Sequence, residues 1–574
     1  MRVLQRLIGR RAQPAEADDG LALWRAGDLP GAERAFRAAL KRGRDLDATL
    51  FGLGSVLVAQ TRLDEGLEAL RQAVEARPTE VRYRVALGDA LLRAKQMTQA
   101  VTQFEAAAAL TPDDLEAQSR LYKPLLDICD WDRVDAALAQ LLQHAQQEPV
   151  ERWTRRVHPW IALRLPLPVA MRHAIASQYA RRLATRAAKL PAPQRRSAPA
   201  AGTRRRLAYL SADLRNHPVG QLAAGLFERH DRARFEITAY SLAGDDGSDH
   251  RQRLRAAFEH FVDAERLPAA ALAQRIADDG IEILVDLTGY TGGARSEVLA
   301  LRPAPLQVSY LGYPGPLQAD FIDYTIADAV VAPEAELGSI REAVVHMPAS
   351  YQVNDDCQPT AAQTPTRDAQ GLPPRGFVFC CFNQTFKIER EVFGAWMRIL
   401  GAVPDAVLWL FASNPEAEAN LRAAAAAQGV DPARLVFARW ARRADHLARQ
   451  RLADLFLDTH HYNGHTTDSD ALWAGVPLLS WSSEAFAGRV GASLLKAIGL
   501  PELVVGRLED YERLAIELAR DPARLAALRA RLEANRLTQP LFRTEDFTRC
   551  LERAYEHMWA QHRAGAAPRH FVAR

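Results

Sequence analysis

The chain has 574 residues, 48% of them hydrophobic and 25% charged, with 73 Lys and Arg against 70 Asp and Glu for a formal charge of +3. That length predicts about three domains with ample material for buried cores, and the near-balance of charge argues against a nucleic-acid groove or a polyanion binder. Cys129, Cys357, Cys380, Cys381 and Cys550 have no C-x-x-C spacing and are odd in number, which argues against a disulfide framework or zinc ribbon and fits a reducing cytoplasm.

Met1 to Arg11 is basic with only the apolar pair Leu7-Ile8, short of the core of an export signal, and no run approaches a membrane span. A repeat follows. Gly20, Gly54 and Gly88 lie 34 residues apart, as do Leu23, Leu57 and Leu91; Leu29, Leu63 and Met97; Ala32, Gly66 and Ala100; and Phe36, Leu70 and Phe104. Pro78 and Pro112 keep the step, and a degraded fourth unit runs from Tyr122 through Trp131, Val134 and Leu138. This period, with small residues where two helices touch, resembles the tetratricopeptide repeat, a stack of helical hairpins. Gly52-Leu53-Gly54 is in phase with the repeat, so it is not read as a dinucleotide fingerprint.

A linker rich in Pro, Ala, Ser and Arg is predicted from Ala192 to Arg206. Beyond it, strand-length apolar runs at Leu207–Asp213, Phe235–Leu242, Ile281–Thr288, Gln307–Leu311 and Tyr324–Ala327 alternate with helical stretches at Gln221–Arg229, His250–Phe258 and Ala269–Asp278. After a break at Gln358–Pro374 the alternation resumes with Phe377–Phe382, Val407–Ala412, Leu435–Ala438, Leu455–Asp458 and Val476–Ser480. Two open parallel sheets with helices on both faces are predicted, with a ligand cleft at the carboxyl ends of their strands. The domains are read as repeats at 15–150, a helical connection and linker at 151–203, a first α/β lobe at 204–372 and a second at 373–574.

Two strand-end segments carry the chemistry. Asn463-Gly464-His465-Thr466-Thr467-Asp468-Ser469-Asp470, before the apolar run Ala471–Trp481, reads as a glycine turn entering a helix. A helix start leaves backbone N–H groups unpaired and carries partial positive charge, which suits a pyrophosphate. In Phe382-Asn383-Gln384-Thr385-Phe386-Lys387-Ile388, Lys387 offers a countercharge, so the pair suggests a nucleotide-sugar site. His217, after the first predicted α/β strand, is a candidate base for a hydroxyl proton. Asp468-Ser469-Asp470 spells a D-x-D metal pattern, but in a helix start the two carboxylates lie about 200° apart, which disfavours shared coordination. His460, His461 and His465 likewise give no zinc site, since adjacent extended residues point apart and no thiol is near. No metal and no cofactor are expected.

These segments, with Asp213-Leu214-Arg215-Asn216-His217-Pro218, Leu301-Arg302-Pro303-Ala304-Pro305 and Leu311-Gly312-Tyr313-Pro314-Gly315, resemble the O-linked N-acetylglucosamine transferases, glycosyltransferase family 41, in order from Leu121 to Gly565. The resemblance implies a tetratricopeptide solenoid followed by a GT-B type pair of Rossmann-like domains. It also implies inverting, metal-independent transfer of N-acetylglucosamine from UDP-N-acetylglucosamine to protein Ser/Thr hydroxyls, with the protein or peptide acceptor met in part through the repeats. It further implies that Lys387 stabilises the leaving diphosphate, that Gln384, His465, Thr466 and Thr467 contact the phosphates, and that Asp470 takes the ribose hydroxyls. His446 matches the uracil-stacking position, Ala441 and Arg443 the base- and ribose-contacting positions, and Gly312 the sugar edge. His217 falls beside sugar and acceptor, with the general base either this imidazole or a donor phosphate oxygen.

Three departures stand out. Tyr462 occupies the place of a family cysteine near the N-acetyl group, leaving open GDP-fucose or UDP-glucose as donors. No asparagine occurs between Met1 and Val150, where long animal members line the solenoid with asparagines, and the large insertion between the lobes is reduced to Gln358–Pro374. The rival from another class is an idle nucleotide-binding scaffold, against which Lys387, His217 and Asp470 argue.

Overall fold

The computed structural model describes residues 15–43, 45–112, 114–194, 204–411 and 414–574. The basic N-terminal segment and the middle of the Ala192–Arg206 linker lie outside the described residues. The chain divides into two units, Met1–Val157 with Ser413–Leu421, and His158–Ala412 with Arg422–Arg574.

In the first unit, hairpins pair helices Ala15–Ala26 with Leu29–Lys41, Leu46–Ala59 with Leu63–Ala76, and Val81–Arg93 with Met97–Leu110. The 34-residue columns now have a cause. A Cβ on Gly20 or Gly88 would strike the ring of Phe36 or Phe104, and one on Gly54 would meet Leu70 and the Gly66 carbonyl. Each glycine therefore admits the bulky residue sixteen positions later, and together these residues form a continuous buried core. The degraded unit survives as Tyr122–Asp127 and Trp131–Gln147, with Tyr122, Trp131 and Val134 buried.

The second unit holds two parallel sheets. Strands β1 (Arg205–Ser211), β2 (Phe235–Ser241), β3 (His260–Asp263), β4 (Ile283–Asp286), β5 (Leu306–Ser309), β6 (Tyr324–Asp328) and β7 (Ala343–Met347) build the first. Strands β8 (Val378–Cys381), β9 (Val407–Phe411), β10 (Leu435–Ala438), β11 (Leu455–Leu457), β12 (Leu478–Trp481) and β13 (Val504–Val505) build the second. Although the sequence reading gives 373–574 to the second lobe, the last strand, β14 (Phe571–Val572), pairs with β7 on the edge of the first sheet. The strand orders are β14-β7-β6-β5-β4-β1-β2-β3 and β10-β9-β8-β11-β12-β13. Both are Rossmann-like, and each reverses direction once, between β1 and β4 and between β8 and β11. Outside the carboxyl ends of such reversal points a ligand crevice opens.

Helix Val169–Ala187 sends Ala176, Ala180 and Leu183 into the first lobe's core with Leu210, Tyr240 and Tyr290. The long helix Thr544–Arg563 also returns to that lobe, where Glu552 accepts from His230 Nδ1 at 2.9 Å and Tyr555 meets the Tyr209 hydroxyl at 3.4 Å. Across the cleft, Ser493 donates to Asp328 at 2.7 Å, Arg489 pairs with Glu336 at 2.6 Å and Gln352 donates to Ser469 at 3.3 Å. The lobes are thus tied at several points. Among the described residues no helix is long and apolar enough to cross a membrane.

Candidate active site

Two loops leave the second lobe's reversal point. After β8, a single 3₁₀ turn, Thr385–Lys387, aims Lys387 at the loop after β11. Its ammonium donates to the Asn463 carbonyl at 2.6 Å and the Gly464 carbonyl at 3.1 Å and lies 4.2 Å from the centre of the Tyr462 ring. Lys387 is 8% exposed, so its ammonium is held inside the site and not in solvent. Burial pulls its basicity down, while the charges of Asp468 and Asp458 oppose that shift.

Asp458 is the residue that the sequence reading missed. It is fully buried and accepts from Thr459 N at 2.8 Å, Gly464 N at 2.9 Å, Asn383 Nδ2 at 3.3 Å and Ser480 Oγ at 2.7 Å. The available signal was an aspartate closing the apolar run Leu455–Leu457, where a charge has no place unless it faces a site. Asp468 shares the same amide, accepting from Gly464 N at 3.1 Å, and lies within hydrogen-bonding reach of Asp458. Gly464 must be glycine here, because a Cβ would run into the Asp468 carboxylate. Asp470 turns instead to Arg443, so the two D-x-D carboxylates serve different partners.

His465 precedes helix Thr466–Trp473 with φ of +59°, a conformation that a side chain other than glycine's disfavours. Its ring lies parallel to Tyr462 at 4.9 Å, and its Nε2–H donates to the Ala487 carbonyl at 3.1 Å, which fixes Nδ1 as the unprotonated nitrogen. Burial, with the Lys387 charge adding, holds this imidazole neutral. The first intrahelical bond runs from Ser469 N to the His465 carbonyl at 3.0 Å, so the helix start leaves the preceding N–H groups without helical acceptors. Thr467 Oγ1 donates to Asn383 Oδ1 and to the Gly464 carbonyl, joining the two loops.

Beside this turn, Arg443 forms a two-pronged pair with Asp470 at 2.9 and 2.6 Å and also donates to Gln358. His446, one turn along the helix Arg443–Gln450, accepts from Arg449 at 2.9 Å and sits edge-on to Phe382 at 5.1 Å. Burial brings it down to about 4, so it is neutral at pH 7. Ala441 lies half-buried in the loop after β10, and Gln384 is exposed after β8, its carbonyl taking the Lys387 N–H at 2.9 Å.

The structure thus brings Lys387, Tyr462, His465 and Thr467 together, and Arg443, His446 and Asp470 beside them. Tyr462 is 5% exposed and wedged among His465, Phe386 and Trp160. The Arg164 guanidinium, also unforeseen, covers Phe386 at 3.6 Å and Trp160 at 4.5 Å.

His217 and Gly312 belong to the first lobe, and among the described residues no hydrogen bond or ion pair links His217 to the second. Ala212 N donates to Thr288 Oγ1 at 3.0 Å across the β1/β4 reversal, which holds the His217 loop against the loop after β4. His217 Nδ1 faces both Val219 N–H and Asp213 Oδ1, each at 3.4 Å. A Cβ on Gly312 would meet the Leu287 carbonyl, so packing between the loops after β4 and β5 is reason enough for that glycine.

The Asp458–Asp468 pair makes a pH prediction. Burial pushes Asp468 well above the ordinary carboxyl range, the Asp458 charge adds to this and Lys387 opposes it. Unfolded, the group ionises above about pH 4. Its stabilising contribution is therefore complete below that point and is lost as pH rises through the folded value. Relative to Asp468→Asn, the wild type should lose roughly 1 kcal/mol of stability per pH unit as pH rises above 4 until that value is passed. Urea denaturation at pH 4.5 and 7.5 measures the difference, and a constant difference would show that Asp468 ionises normally.

The model for the family described as Glycosyl transferase family 41 matches residues 128–362 and 354–551, and the Tetratricopeptide repeat model matches 18–57 and 51–114. A mutant of the Thermobaculum terrenum O-GlcNAc transferase superposes with a TM-score of 0.71 at 30% identity, covering 98% of this chain and 99% of that one. An Arabidopsis thaliana protein, "Probable UDP-N-acetylglucosamine--peptide N-acetylglucosaminyltransferase SEC", is 42% identical over 374 residues, 64% of this chain and 38% of that protein. The UDP-N-acetylglucosamine–peptide N-acetylglucosaminyltransferase of Caenorhabditis elegans is 29% identical over 556 residues, 76% of this chain and 48% of its own length. The chain therefore spans less than half the length of these two relatives.

Proposed function

The chain belongs to glycosyl transferase family 41, and from that premise we propose that it moves N-acetylglucosamine from UDP-N-acetylglucosamine to protein serine or threonine hydroxyls, with inversion and without a metal or other cofactor. The observation that carries this reading is the meeting of the Lys387 ammonium and the start of helix Thr466–Trp473 on one turn, Asn463–Gly464, at the β8/β11 reversal. One of the lysine's three donors remains for the diphosphate, and a cation beside unpaired amides stabilises the charge that grows as the sugar bond breaks. In this reading Gln384, His465, Thr466 and Thr467 contact the phosphates, Arg443 and Asp470 the ribose, Ala441 and His446 the uracil, and Gly312 the sugar edge. The repeats would receive the acceptor protein, and the reaction would take place in the cytoplasm.

Tyr462 favours a second donor. Its buried phenol beside Lys387 takes volume that an N-acetyl group would need, which suits a hexose without that group. Calorimetric titration with UDP, UDP-N-acetylglucosamine, UDP-glucose and GDP-fucose, with chelator present, separates the readings. Preferred binding of UDP-N-acetylglucosamine supports the first; failure of all four nucleotides to bind would sink both. His217→Ala should lower transfer to a synthetic serine-containing peptide by about 100-fold, whereas full transfer would remove the imidazole from the reaction.

A further inference from the structure

Two partners compete for one nitrogen of His217, and they demand opposite proton positions. Val219 N–H can only donate to Nδ1, which places the ring proton on Nε2. An ionised Asp213 can only accept, which places the proton on Nδ1 and leaves the Nε2 lone pair free. The side chain of Asp213 is 6% exposed and that of His217 35%, so the carboxyl lies behind the ring and the imidazole reaches the crevice. Building on the transfer reaction proposed above, we propose that Asp213 is a positioning residue that turns His217 into the general base by drawing the ring proton to Nδ1.

The step balances as follows. The acceptor hydroxyl gives its proton to His217 Nε2 while its oxygen bonds to the anomeric carbon. The bond from that carbon to the diphosphate oxygen breaks, and its electron pair leaves with UDP. The resulting imidazolium is stabilised by the Asp213 carboxylate, the division of labour seen in hydrolase triads. With Asp213 protonated, Nδ1 receives a hydrogen bond and Nε2 keeps its proton, so the ring cannot act as a base.

The groups that face the pair set the pH at which this changes. Burial pushes Asp213 up to about 7, with Arg215 opposing and Asp286, at the end of β4, adding. Burial and the Arg215 charge bring His217 down to about 4, so its charge state does not change across the range in question. Activity should accordingly rise with pH through about 7, as Asp213 ionises.

The test is UDP release with UDP-N-acetylglucosamine and a synthetic serine-containing peptide, followed from pH 5.5 to 9. Asp213→Asn should lower kcat by about 100-fold or more and abolish the acid limb, and Asp213→Glu should restore part of both. A variant with wild-type rate and limb would send the hydroxyl proton elsewhere, to a donor phosphate oxygen. A slower variant that keeps the acid limb would make Asp213 purely structural; either result overturns the proposal. Should Asp213→Asn fail to fold, ¹⁵N spectra of the histidine-labelled wild type decide. The His217 ring proton should sit on Nε2 at pH 6 and on Nδ1 at pH 8, and an unchanging tautomer would refute the coupling. Because the spectra need no donor, a protein inactive with every nucleotide sugar loses the transferase reading while the Asp213–His217 coupling is still decided.

Discussion

Replacing Lys387 with alanine should lower donor turnover by about 100-fold or more and also lower the denaturation midpoint. The first effect follows from charge: in the proposed transfer a buried cation faces the leaving diphosphate, among the larger single contributions that a site of this kind can hold. The second would not follow from a solvated lysine, whose loss seldom affects stability. Here the ammonium bridges the Asn463 and Gly464 carbonyls and faces two fully buried aspartates. Its removal strands acceptors and carboxylates, a loss of up to about 3 kcal/mol near neutral pH. The loss should shrink as pH falls, because Asp458 then takes up a proton and needs no counterion. UDP release with UDP-N-acetylglucosamine and a synthetic serine-containing peptide checks the first effect, and urea denaturation checks the second. Turnover equal to wild type would take the lysine out of the mechanism, and unchanged stability would show that the turn holds itself.

Most of the architecture was legible because its signals are local. The glycine columns require a bulky partner sixteen residues on, and runs such as Leu207–Leu210 are buried on both faces and hence continuously apolar. Strand β3 escaped because it lies at the sheet edge, where His260 and Asp263 are exposed and no apolar run is needed. Strands β13 and β14 escaped because two residues carry no pattern. The apolar run Ala471–Trp481 serves two elements, the helix entrance and the strand read at Val476–Ser480, divided at Gly475, whose φ of +83° closes the helix before β12 begins. At the site, Lys387, His465 and Asp470 were legible as charged or hydrogen-bonding residues in turns or at a helix start. Arg164 and Asp458 were not, because their roles depend on contacts with Phe386 and Gly464, 222 and 6 residues away respectively. The true depth of Lys387 was hidden for the same reason: its burial is set by the loop after β11, which local sequence does not reveal.

The two aspartates beside that lysine should behave as one charge. Lys387 stabilises a single negative charge next to it, whereas a second would cancel the field that a diphosphate needs. Asp458 has four donors around it and is the better-solvated ion, while Asp468 Oδ1 is buried without a hydrogen-bond partner, the mark of the protonated member. If Asp458 becomes asparagine, Asp468 can ionise in its place; if Asp468 becomes asparagine, the charge on Asp458 remains. Each single substitution should therefore weaken UDP binding by about tenfold or less. The Asp458→Asn/Asp468→Asn double variant has no anion to keep the buried lysine protonated. It should lose about 1,000-fold, an excess over additivity of the size that coupled neighbours show. Calorimetry on the four proteins at pH 7.5, with circular dichroism to verify folding, completes the cycle. Additive losses would mean that the two carboxylates act separately and that Lys387 keeps its proton without them.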